Sequence, residues 1–409
     1  MTMPVASNDP YDIFAPRSRS DPELLARLRR DDPVYCTTVP GWGTRHWFLS
    51  RYEDCNNFLR DSRFGRDLHN KLPEEILRHW PKPPLAEQMF ERHLLGVDPP
   101  DHTRMRGLVH KAFTPRVIRR LQDRVQEIAD QLIDAMQDAG RADLVEQYAF
   151  PIPITMITEM LGVPVADHNR FRGWIRRLFF EAADDDARML AGMEFVHYMH
   201  ARIDERRAEP QEDILSGMVH ASEEGDMLNQ QELMSMIFLL LTAGYETTVH
   251  LIGSGVFTLL CHPDQLALFR SEMDSNDALV QSAVEEVVRY RGPATSVFMR
   301  WAWEDVKIGG KLIKQGDSVN ALLHAANRDP EVFDDPDRFD ITRSPNKHLG
   351  FGAGVHYCLG APLARMEGAI AIPTLLRRLP NLGLAVDPDE VQWNGDGLLF
   401  GLATLPVRF

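Results

Sequence analysis

The stretch Phe351-Gly-Ala-Gly-Val-His-Tyr-Cys-Leu-Gly360 places one cysteine, Cys358, between a glycine-rich loop and a predicted helix start. Its glycines allow a backbone with positive φ or the close approach of a flat partner. Pro362, just beyond, is tolerated in a first helical turn. A thiol before a helix N-terminus faces unsatisfied N–H groups and a partial positive charge, which favour the thiolate. The stretch therefore predicts one thiolate at a fixed place, available as a nucleophile or as a metal ligand.

The whole chain has an ordinary globular composition, with 44% hydrophobic and 26% charged residues and no evident linker or internal repeat. We therefore predict a single domain over residues 1–409. The net charge of −15 argues against nucleic-acid binding, which needs a basic surface. Residues 1–17 lack the apolar core of a signal peptide, and the longest apolar run, 234–244, is shorter than the roughly 18 residues of a membrane span. We expect a cytoplasmic protein without a membrane anchor.

The four cysteines do not show the Cys-x-x-Cys spacing of a zinc knuckle. Because no secretion signal is evident, a disulfide framework is not expected either. We therefore predict that Cys36, Cys55 and Cys261 are small buried apolar residues in a reducing cytosol.

The second organising element is a helix predicted over residues 229–260, in which Asn229 and Glu232 have the spacing of a capping box. Its ~32 residues would span about 48 Å at 1.5 Å per residue. Ala243 and Gly244 remove side-chain bulk near its middle, so a flat group could approach one face there.

Polar side chains at Glu246, Thr247 and Thr248 interrupt the apolar middle of this helix. A buried carboxylate is costly unless it is hydrogen-bonded or linked to water. A mid-helix hydroxyl can bond to the carbonyl one turn earlier and loosen the helix. The pattern alone leaves open either a simple helix bend or a functional acid–alcohol pair.

A local reversal of charge begins at His102, which shares one helix face with Arg106 because the two are four residues apart. We predict that this pair binds a shared anionic partner. A basic face follows over residues 104–124, and its outer arginines are equally compatible with a solvated helix surface. The basic residues are Arg104, Arg106, Lys111, Arg116, Arg119, Arg120 and Arg124.

The spacing of apolar residues and the positions of Gly and Pro divide the remainder of the chain into helix-rich and β-rich parts. The helix-rich parts are about 100–292 and 359–379, and the β-rich parts are about 33–52, 293–320 and 380–409. Ile308-Gly-Gly310 is typical of a hairpin turn, and Arg300 falls in the first strand of its region. Pro373 would kink the helix after Cys358 or end its regular hydrogen bonding.

Glu286 and Arg289 are three residues apart on a predicted helix and can form an intrahelical pair. On an exposed helix such a pair contributes only a few tenths of a kcal/mol, so the signal is weak by itself. A Pro- and Asp-rich meander follows over residues 327–339.

Taken together, these residues resemble one family, the cytochrome P-450 haem-thiolate monooxygenases in their soluble bacterial form. The cysteine-loop pattern is matched at Phe351, Gly352, Gly354, His356, Cys358, Gly360, Leu363, Ala364, Arg365 and Glu367. The other matches, in family order, are the haem-propionate helix (His102, Arg106), the oxygen-binding helix motif (Ala243-Gly-Tyr-Glu-Thr-Thr248), the E-x-x-R pair (Glu286, Arg289), the propionate-binding strand arginine (Arg300) and the meander.

The resemblance implies a mainly α fold with small β-sheets, in a single triangular-prism-like domain with a long central helix over the haem. The implied cofactor is haem b (iron protoporphyrin IX) with an axial thiolate from Cys358, which favours O–O cleavage. Buried propionates need partners, and the resemblance assigns that role to His102, Arg106, Arg300 and His356.

The resemblance also implies the chemistry, which is hydroxylation or epoxidation of a hydrophobic small molecule with O₂ and two electrons. Thr247 would hydrogen-bond to dioxygen and Glu246 would relay protons from water, a task that suits an acid–alcohol pair. Glu286 and Arg289 would form a structural pair that ties the meander beneath the haem.

Electrons would come from separate proteins, because the chain shows no G-x-G-x-x-G dinucleotide fingerprint and no ferredoxin-like cysteine run. The expected donors are a ferredoxin and a ferredoxin reductase, and the protein is expected to act as a monomer. We predict that the basic face of residues 104–124, with Lys347 and Arg365 nearby, docks an acidic ferredoxin.

The substrate pocket is predicted to be apolar, which favours a hydrophobic substrate. The residues assigned to it are Leu240, Ala243, Val297, Phe298, Met299, Leu399, Phe400 and Phe179. The family suggests a macrolide, terpenoid, steroid or fatty acyl chain, and the sequence does not choose among them.

Three other functions compete with this one. A non-catalytic haem-binding sensor would not need proton delivery by Glu246 and Thr247. A peroxide-driven haem-thiolate peroxygenase is a close variant, although the same pair favours the O₂ route. A hydrolase with Cys358 as nucleophile and His356 as base is disfavoured, because residues two apart on a loop pair poorly and no third orienting group is evident.

Overall fold

A computed structural model of the chain describes residues 10–15, 17–39, 43–78, 80, 90–112, 115–178, 185–221, 227–395 and 398–409. For residues 69–70, 112, 115–120, 172, 175–176 and 185, only the backbone is described. The chain divides into two compact units. The first unit comprises Met1–Pro81, Ile128–Ala149 and Thr247–Phe409, and the second comprises Lys82–Glu127 and Phe150–Glu246.

Helices make up most of the regular structure in the described residues, and a few of them begin at a capping side chain. The Asp21 carboxylate accepts from the N–H groups of Glu23 and Leu24 at the start of α1, and Asn276 caps α13 in the same way. The helices are α1 (Pro22–Asp31), α2 (Tyr52–Arg60), α3 (Leu68–Lys71), α4 (Glu74–Leu77), α5 (Asp101–Ala112), α6 (Pro115–Met136), α7 (Pro151–Met160), α8 (His168–Arg176), α9 (Asp185–Ala208), α10 (Ile214–His220), α11 (Gln230–Cys261), α12 (Pro263–Glu272), α13 (Asp277–Arg291), α14 (Leu323–Ala326) and α15 (Ala361–Arg378).

Short strands of the first unit form small sheets. They are β1 (Val34–Thr38), β2 (Arg45–Leu49), β3 (Phe64–Gly65), β4 (Arg141–Asp143), β5 (Arg300–Ala302), β6 (Val306–Ile308), β7 (Lys311–Ile313), β8 (Ser318–Ala321), β9 (Gly383–Leu384), β10 (Trp393–Gly395), β11 (Phe400–Leu402) and β12 (Pro406–Arg408). The largest sheet has the order β1-β2-β8-β5-β3, with β1 and β2 antiparallel and β2 parallel to β8. Its core includes Phe58 and Leu59 of α2 together with Leu349 and Ala353, so the cysteine loop is anchored in the core of this sheet.

The smaller sheets have the orders β4-β12-β9, β10-β11 and β6-β7. Between β6 and β7, Gly309 and Gly310 have φ values of 55° and 79°. A two-residue hairpin turn with positive φ at both positions matches the right-handed twist of its strands, and glycine adopts it without strain. The hairpin predicted at Ile308-Gly-Gly310 is therefore present.

The second unit is helical and has an aromatic core. α10 packs against α5 and α9, and α9 packs against α8. The rings of Phe90 and Phe238 are stacked with centroids 3.9 Å apart. Phe195 lies edge-on to both of them, and Phe171 packs on Phe195. These rings bury large apolar areas and fix the helices around them.

The long helix α11 begins at the predicted capping box. Asn229 Oδ1 accepts from the Glu232 N–H at 2.9 Å, and Glu232 Oε2 accepts from the Asn229 N–H at 3.0 Å. Within the described residues, α11 is the only helix long and apolar enough to cross a membrane, and 56% of its most apolar window is buried within the protein. Length and composition alone give this match, and a buried core helix meets the same criteria.

α15 continues as a helix through Pro373 to Arg378, so the proline does not end it. A proline removes one intrahelical hydrogen bond and crowds the preceding turn. The buried hydroxyl of Tyr148 donates to the carbonyl of Ala371 at 2.7 Å, beside that interruption. This bond ties α15 to the helical turn of residues 145–149, but it does not replace the bond that Pro373 removes, whose acceptor is the Ala369 carbonyl four residues earlier.

Two elements and two cysteines differ from the sequence-based expectations. The short helices α10 and α12 were not predicted, although Pro263 at the start of α12 is a typical first-turn residue. Cys55 is buried as expected, whereas Cys36 and Cys261 are only half-buried. Cys36 lies in β1, the edge strand of the main sheet, and Cys261 is the last residue of α11, so neither thiol is fully enclosed.

Candidate active site

The cysteine loop requires glycine at one position for steric reasons. Gly352 and Gly354 have φ values of 71° and 70°. A Cβ atom on Gly354 would lie 2.5 Å from the carbonyl oxygen of Leu59, closer than real contacts allow. The Cys358 N–H donates to the Phe351 carbonyl at 2.9 Å, which closes the loop on itself. The loop is therefore held against α2, and it presents an exposed Cys358 side chain.

Cys358 lies just before α15, as predicted. The helix begins at Ala361 with Pro362 in its first turn. The Ala361 N–H donates to the Cys358 carbonyl at 3.4 Å, and the Ala364 N–H donates to the Gly360 carbonyl at 2.9 Å. A helix N-terminus carries a partial positive charge, so this position favours a negative sulfur.

Arg300 is anchored to the same part of α2. It is buried in β5, and its Nη1 donates to the Leu59 carbonyl at 3.0 Å. Its guanidinium also lies 5.4 Å from the centroid of the Phe58 ring. Because the Leu59 carbonyl is also the nearest atom to a Cβ on Gly354, Arg300 and the cysteine loop share one supporting residue. His356 is half-buried in the short 3₁₀ turn of that loop.

A second network supports the loop, and no signal in the sequence pointed to it. The Arg365 guanidinium binds both carboxylate oxygens of Glu285, at 2.5 and 2.9 Å, and donates to the Tyr357 hydroxyl at 3.0 Å. It also lies 4.4 Å from the centroid of the Phe351 ring. His348 Nε2 is 3.0 Å from Glu285. Burial alone would raise the pKa of Glu285, but Arg365 and His348 outweigh it and lower that pKa to about 2.

Glu286 and Arg289 are fully buried and form the centre of a polar network. Arg289 donates to both oxygens of Glu286, at 2.7 and 2.8 Å. It also donates to the carbonyls of Asn327, Pro336 and Arg338 at 2.8 to 3.0 Å. An exposed pair would be weak, but here charge-assisted hydrogen bonds join α13 to the meander.

In the second unit, His102 is buried and Arg106 is half-buried on α5. The basic face predicted over residues 104–124 is partly neutralised. Arg104 forms an ion pair with the buried Glu232, and Arg124 binds Glu159 at 2.9 Å. These two arginines are therefore not available to dock a partner, because carboxylates that are distant in the sequence pair with them.

The two small residues of α11 differ in their surroundings. Ala243 is exposed, and Leu240 and Glu246 are half-buried. A Cβ on Gly244 would lie 3.3 Å from Ile157 of α7, so this glycine lets two helices approach closely. The expectation that both small residues leave room for a flat group is wrong for Gly244. The neighbouring Tyr245 is buried beside Phe150.

In the first unit, α11 continues with a half-buried Thr247 and a buried Thr248. Thr248 hydrogen-bonds to Glu367 of α15. Burial raises the pKa of the Glu367 carboxyl to about 8, and the Thr248 hydrogen bond offsets only part of that effect. Glu367 matched the cysteine-loop pattern, but its contact with α11 was not foreseen.

The apolar residues assigned to the substrate pocket have different surroundings. Val297 is packed against the main sheet core, and Phe298 is 44% exposed with the Arg66 guanidinium over its ring. The Met299 carbonyl accepts from Arg66 at 2.6 Å. Phe179 lies outside the described residues.

Leu399 and Phe400 of the same group are adjacent but have different neighbours. Leu399 forms an isolated β-bridge with Ala294. The Phe400 ring stacks on Trp393 with centroids 4.8 Å apart and lies edge-on to His324. Successive residues of a strand point to opposite faces, which explains the separation.

The residues of the cysteine loop fit haem iron. Within the described parts of the chain, no group of three or more His, Cys, Asp or Glu side chains could hold a metal ion. A single exposed cysteine before a helix would be the protein's contribution to an iron that a porphyrin holds. The buried Arg300 near that loop is a suitable partner for an acidic substituent.

Comparison with known proteins gives one family. The cytochrome P450 family model matches residues 155–399. The chain is 44% identical over 407 residues to the cytochrome P450 monooxygenase PikC of Streptomyces venezuelae, which is 98% of this chain and 91% of PikC. It is 40% identical over 390 residues to the polyketide biosynthesis cytochrome P450 PksS of Bacillus subtilis, which is 94% of each.

The structure agrees with these matches. It is similar to the crystal structure of the myxobacterial cytochrome P450 CYP267B1 in complex with myristic acid, with a TM-score of 0.87 and 44% identity over 98% of this chain and 99% of that one. The mainly α fold with small sheets and one long helix is therefore confirmed. The family in general uses haem with a cysteine thiolate ligand. The chain belongs to the cytochrome P450 family, like its bacterial relatives, and is a monooxygenase.

Proposed function

We propose that the protein binds haem b through the Cys358 thiolate and hydroxylates or epoxidises a hydrophobic small molecule with O₂ and two electrons. The observation that supports this most directly is the cysteine loop. Its sharp turn tolerates only glycine at residue 354, and it presents one exposed sulfur before the N-terminus of α15. This arrangement fixes one thiolate at the N-terminus of α15.

We assign the remaining contacts with the cofactor from the charges of the side chains. When bound, haem supplies the oxygen-activating iron chemistry. We propose that Arg300, His102, Arg106 and His356 bind its propionates. A buried guanidinium suits this role because it remains charged and offers a rigid set of donors. Arg300 has the strongest local support, since the Leu59 carbonyl holds it in place.

Proton delivery is the role that we propose for Glu246 and Thr247. Both are half-buried on consecutive positions of α11, so each side chain has access to solvent and to the protein interior. Glu246 would pass a proton from water, and the Thr247 hydroxyl would hold it at the distal oxygen of the oxidant. A positioned acid and alcohol lower the barrier for such transfers.

The central test replaces Cys358 by Ser. In the wild type, the reduced and CO-bound protein should show the red-shifted absorption band of a thiolate-ligated haem. The band should disappear in Cys358→Ser and persist in the control Cys261→Ser, since Cys261 is a half-buried thiol outside the loop. An unchanged band in Cys358→Ser would exclude Cys358 as the ligand.

A second test replaces Thr247 by Ala. Substrate-driven NAD(P)H consumption should continue, but product should fall several-fold and peroxide should rise, because proton delivery is impaired. Thr242→Ala is the matched control, since the Thr242 hydroxyl only bonds back to carbonyls of its own helix. Unchanged coupling of NAD(P)H use to product would remove Thr247 from the mechanism.

The same assays separate the alternatives. A peroxide-driven peroxygenase would turn over with hydrogen peroxide at a rate that Thr247→Ala leaves unchanged. A haem-binding sensor would show the thiolate band without product under either condition. The acid–alcohol pair favours the O₂ route over both.

For the substrate, we propose a polyketide or a long acyl chain. One relative is named for polyketide biosynthesis, and one similar structure contains myristic acid. Val297, Phe298 and Leu399 are the apolar side chains of the first unit that we assign to it. A screen by haem spin-state shift with macrolactones and fatty acids tests this choice, and a response to neither class would contradict it.

We further propose a ferredoxin and a ferredoxin reductase as electron donors to a cytoplasmic monomer that forms one domain over residues 1–409. Arg104 and Arg124 are removed from the docking surface because they bind carboxylates. The exposed Lys111 remains a candidate. Lys111→Glu should slow ferredoxin-supported turnover at low salt but not at high salt. If Lys111→Glu turned over as fast as the wild type at both salt concentrations, Lys111 would be excluded from the docking surface.

A further inference from the structure

A cavity of about 230 Å³ in the first unit is lined by two arginines and several aromatic rings. It involves none of the residues assigned to haem or to proton delivery. The side chains that matter are Tyr290, Arg291, His324, Arg328, Trp393 and Phe400. At about 30 Å³ per water in the liquid, the space corresponds to roughly eight waters.

Arg291 stands at the end of α13 in an aromatic box. Its guanidinium carbon lies 4.8 Å from the ring centroid of Trp393, 5.2 Å from that of Phe257 and 5.9 Å from that of Tyr290. Among the side chains that the structure describes, no carboxylate forms an ion pair with Arg291. Burial lowers its pKa, because the rings replace part of its hydration. Cation–π contacts compensate a desolvated cation only in part.

Arg328 brings a second guanidinium to the same cavity. It lies 4.4 Å from the Tyr290 centroid, donates to the Tyr290 carbonyl at 3.1 Å and pairs with Asp337 at 2.5 Å. Asp337 is 75% exposed, so water screens much of its charge. Arg328 and Arg291 repel each other, which further disfavours the charged form of Arg291. Two like charges beside one small cavity favour an anion between them.

The histidine of the lining does not supply the missing negative charge. His324 is buried, and its Nε2 lies 2.7 Å from the carbonyl oxygen of Gly292. A carbonyl only accepts, so Nε2 carries the proton in this contact. Burial lowers the pKa of His324 to about 4, so the ring is neutral at pH 7. The charge of the cavity therefore comes from the arginines.

We propose that this cavity is a binding site for a small oxyanion, either phosphate or a short carboxylate, with Arg291 as its main ligand and Arg328 beside it. A guanidinium offers two parallel N–H donors that match the oxygens of either anion. The rings of Tyr290, Trp393 and Phe400 limit the size of the ligand and lower the local dielectric, which strengthens the attraction. The chain has a net charge of −15, so a cavity lined by two cations is a local exception in the sign of the charge.

The test measures thermal unfolding of the haem-loaded protein at pH 7 in phosphate, acetate or chloride at equal ionic strength. A ligand that binds only the folded state raises Tm, and we expect a saturable rise of about 2 °C or more near 50 mM of the preferred anion. A rise with phosphate alone identifies phosphate, and a rise with acetate alone identifies a carboxylate. A rise with both supports the shared oxyanion chemistry.

Arg291→Gln should abolish the rise. Arg291→Lys keeps the charge but loses the paired donors, so its titration midpoint should move to higher anion concentration. This second variant, with calorimetric titration of phosphate into the wild type, keeps the test valid if Arg291→Gln does not fold. The control Arg30→Gln removes an exposed arginine and should respond like the wild type. No rise in the wild type, or the same rise in Arg291→Gln, would overturn the proposal.

Discussion

Glu286 and Glu367 are equally buried carboxyl groups of the first unit in opposite surroundings. Glu286 accepts two hydrogen bonds from Arg289, one from Arg343, one from the N–H of Asp340 and one from Asn346. Glu367 has the Thr248 hydroxyl, and within the described residues its Oε2 has no hydrogen-bond partner. Burial is the same in both places, so the partners decide whether the acid is charged.

The regions around these two acids are held together in different ways. Charge-assisted hydrogen bonds join α13 to the meander, and they satisfy backbone carbonyls that the loops leave unpaired. Where α11 meets α15 and β11, neutral groups and missing side chains allow close packing. Gly401 of β11 lies directly against the His250 ring of α11, and a Cβ on Gly368 of α15 would lie 3.5 Å from Leu251 of α11. The first region should be sensitive to loss of charge, and the second to added volume.

The largest effect is expected from Arg289→Met. It removes the nearer of the two cations beside the buried Glu286 and leaves Arg343 at 3.3 Å, and three meander carbonyls lose a donor. The free energy of unfolding should fall by about 3–5 kcal/mol, as for other broken buried pairs. Urea denaturation measures the loss. In the control Arg377→Met, which breaks an exposed pair with Asp274, the loss should stay within about 1 kcal/mol. Similar losses in both variants would contradict the first half of the comparison.

Gly401→Ala tests the second region. A Cβ there would lie 1.9 Å from Nδ1 and 2.1 Å from Cγ of the buried His250 ring, so the ring or the strand must move. Overpacking of this kind costs typically about 1–3 kcal/mol. The matched control is Gly253→Ala on α11, where the nearest atom, Leu402 Cδ1, is 3.6 Å away. That variant should be stabilised by about 0.5–1 kcal/mol, since alanine favours a helix interior. Loss of stability in the control, or none in Gly401→Ala, would show that volume is not what limits this contact.

Local sequence signals predicted much of the fold because their physics is local. The reciprocal capping of Asn229 and Glu232, the diglycine turn after Ile308 and the helix start after Cys358 each depend on residues within one turn. The family resemblance then supplied the long-range order that these signals lack. Short helices such as α10 and α12 were missed because they contain too few residues to show a periodic pattern of apolar positions.

Burial and distant pairing could not be derived in the same way. A Glu and an Arg three residues apart, like Glu286 and Arg289, have the same spacing whether the pair is exposed or buried. The energies of the two kinds of pair nevertheless differ severalfold. Glu285, His348 and Arg365 meet across separations of 63 and 80 residues, which periodicity does not reveal. Gly244 could have faced a ligand or a helix, and only the fold shows that Ile157 is its neighbour.

The smallest effect near pH 5, and the most informative about the comparison, is expected from Glu367→Gln. In the folded protein the Glu367 carboxyl keeps its proton up to about pH 8, whereas the ordinary pKa of the unfolded chain is 4.5. Between these values the folded state binds one more proton, so this group lowers the free energy of unfolding as pH rises, by at most about 1.4 kcal/mol per pH unit. Its stabilising contribution is complete below pH 4.5 and is lost as the pH rises through 8.

Glutamine has the shape of the protonated acid, so the free energies of unfolding of the wild type and the variant should differ by less than about 1.5 kcal/mol near pH 5. The difference should shift in favour of Glu367→Gln as the pH rises to 8.5, because only the wild type must then bury a charge or take up a proton. Urea denaturation from pH 5 to 8.5 measures this slope, with the exposed Glu390→Gln as a control that should follow the wild type. A constant difference across that range would mean that Glu367 is charged in the folded protein. The contrast with Glu286 would then lie in the number of hydrogen bonds and not in the charge.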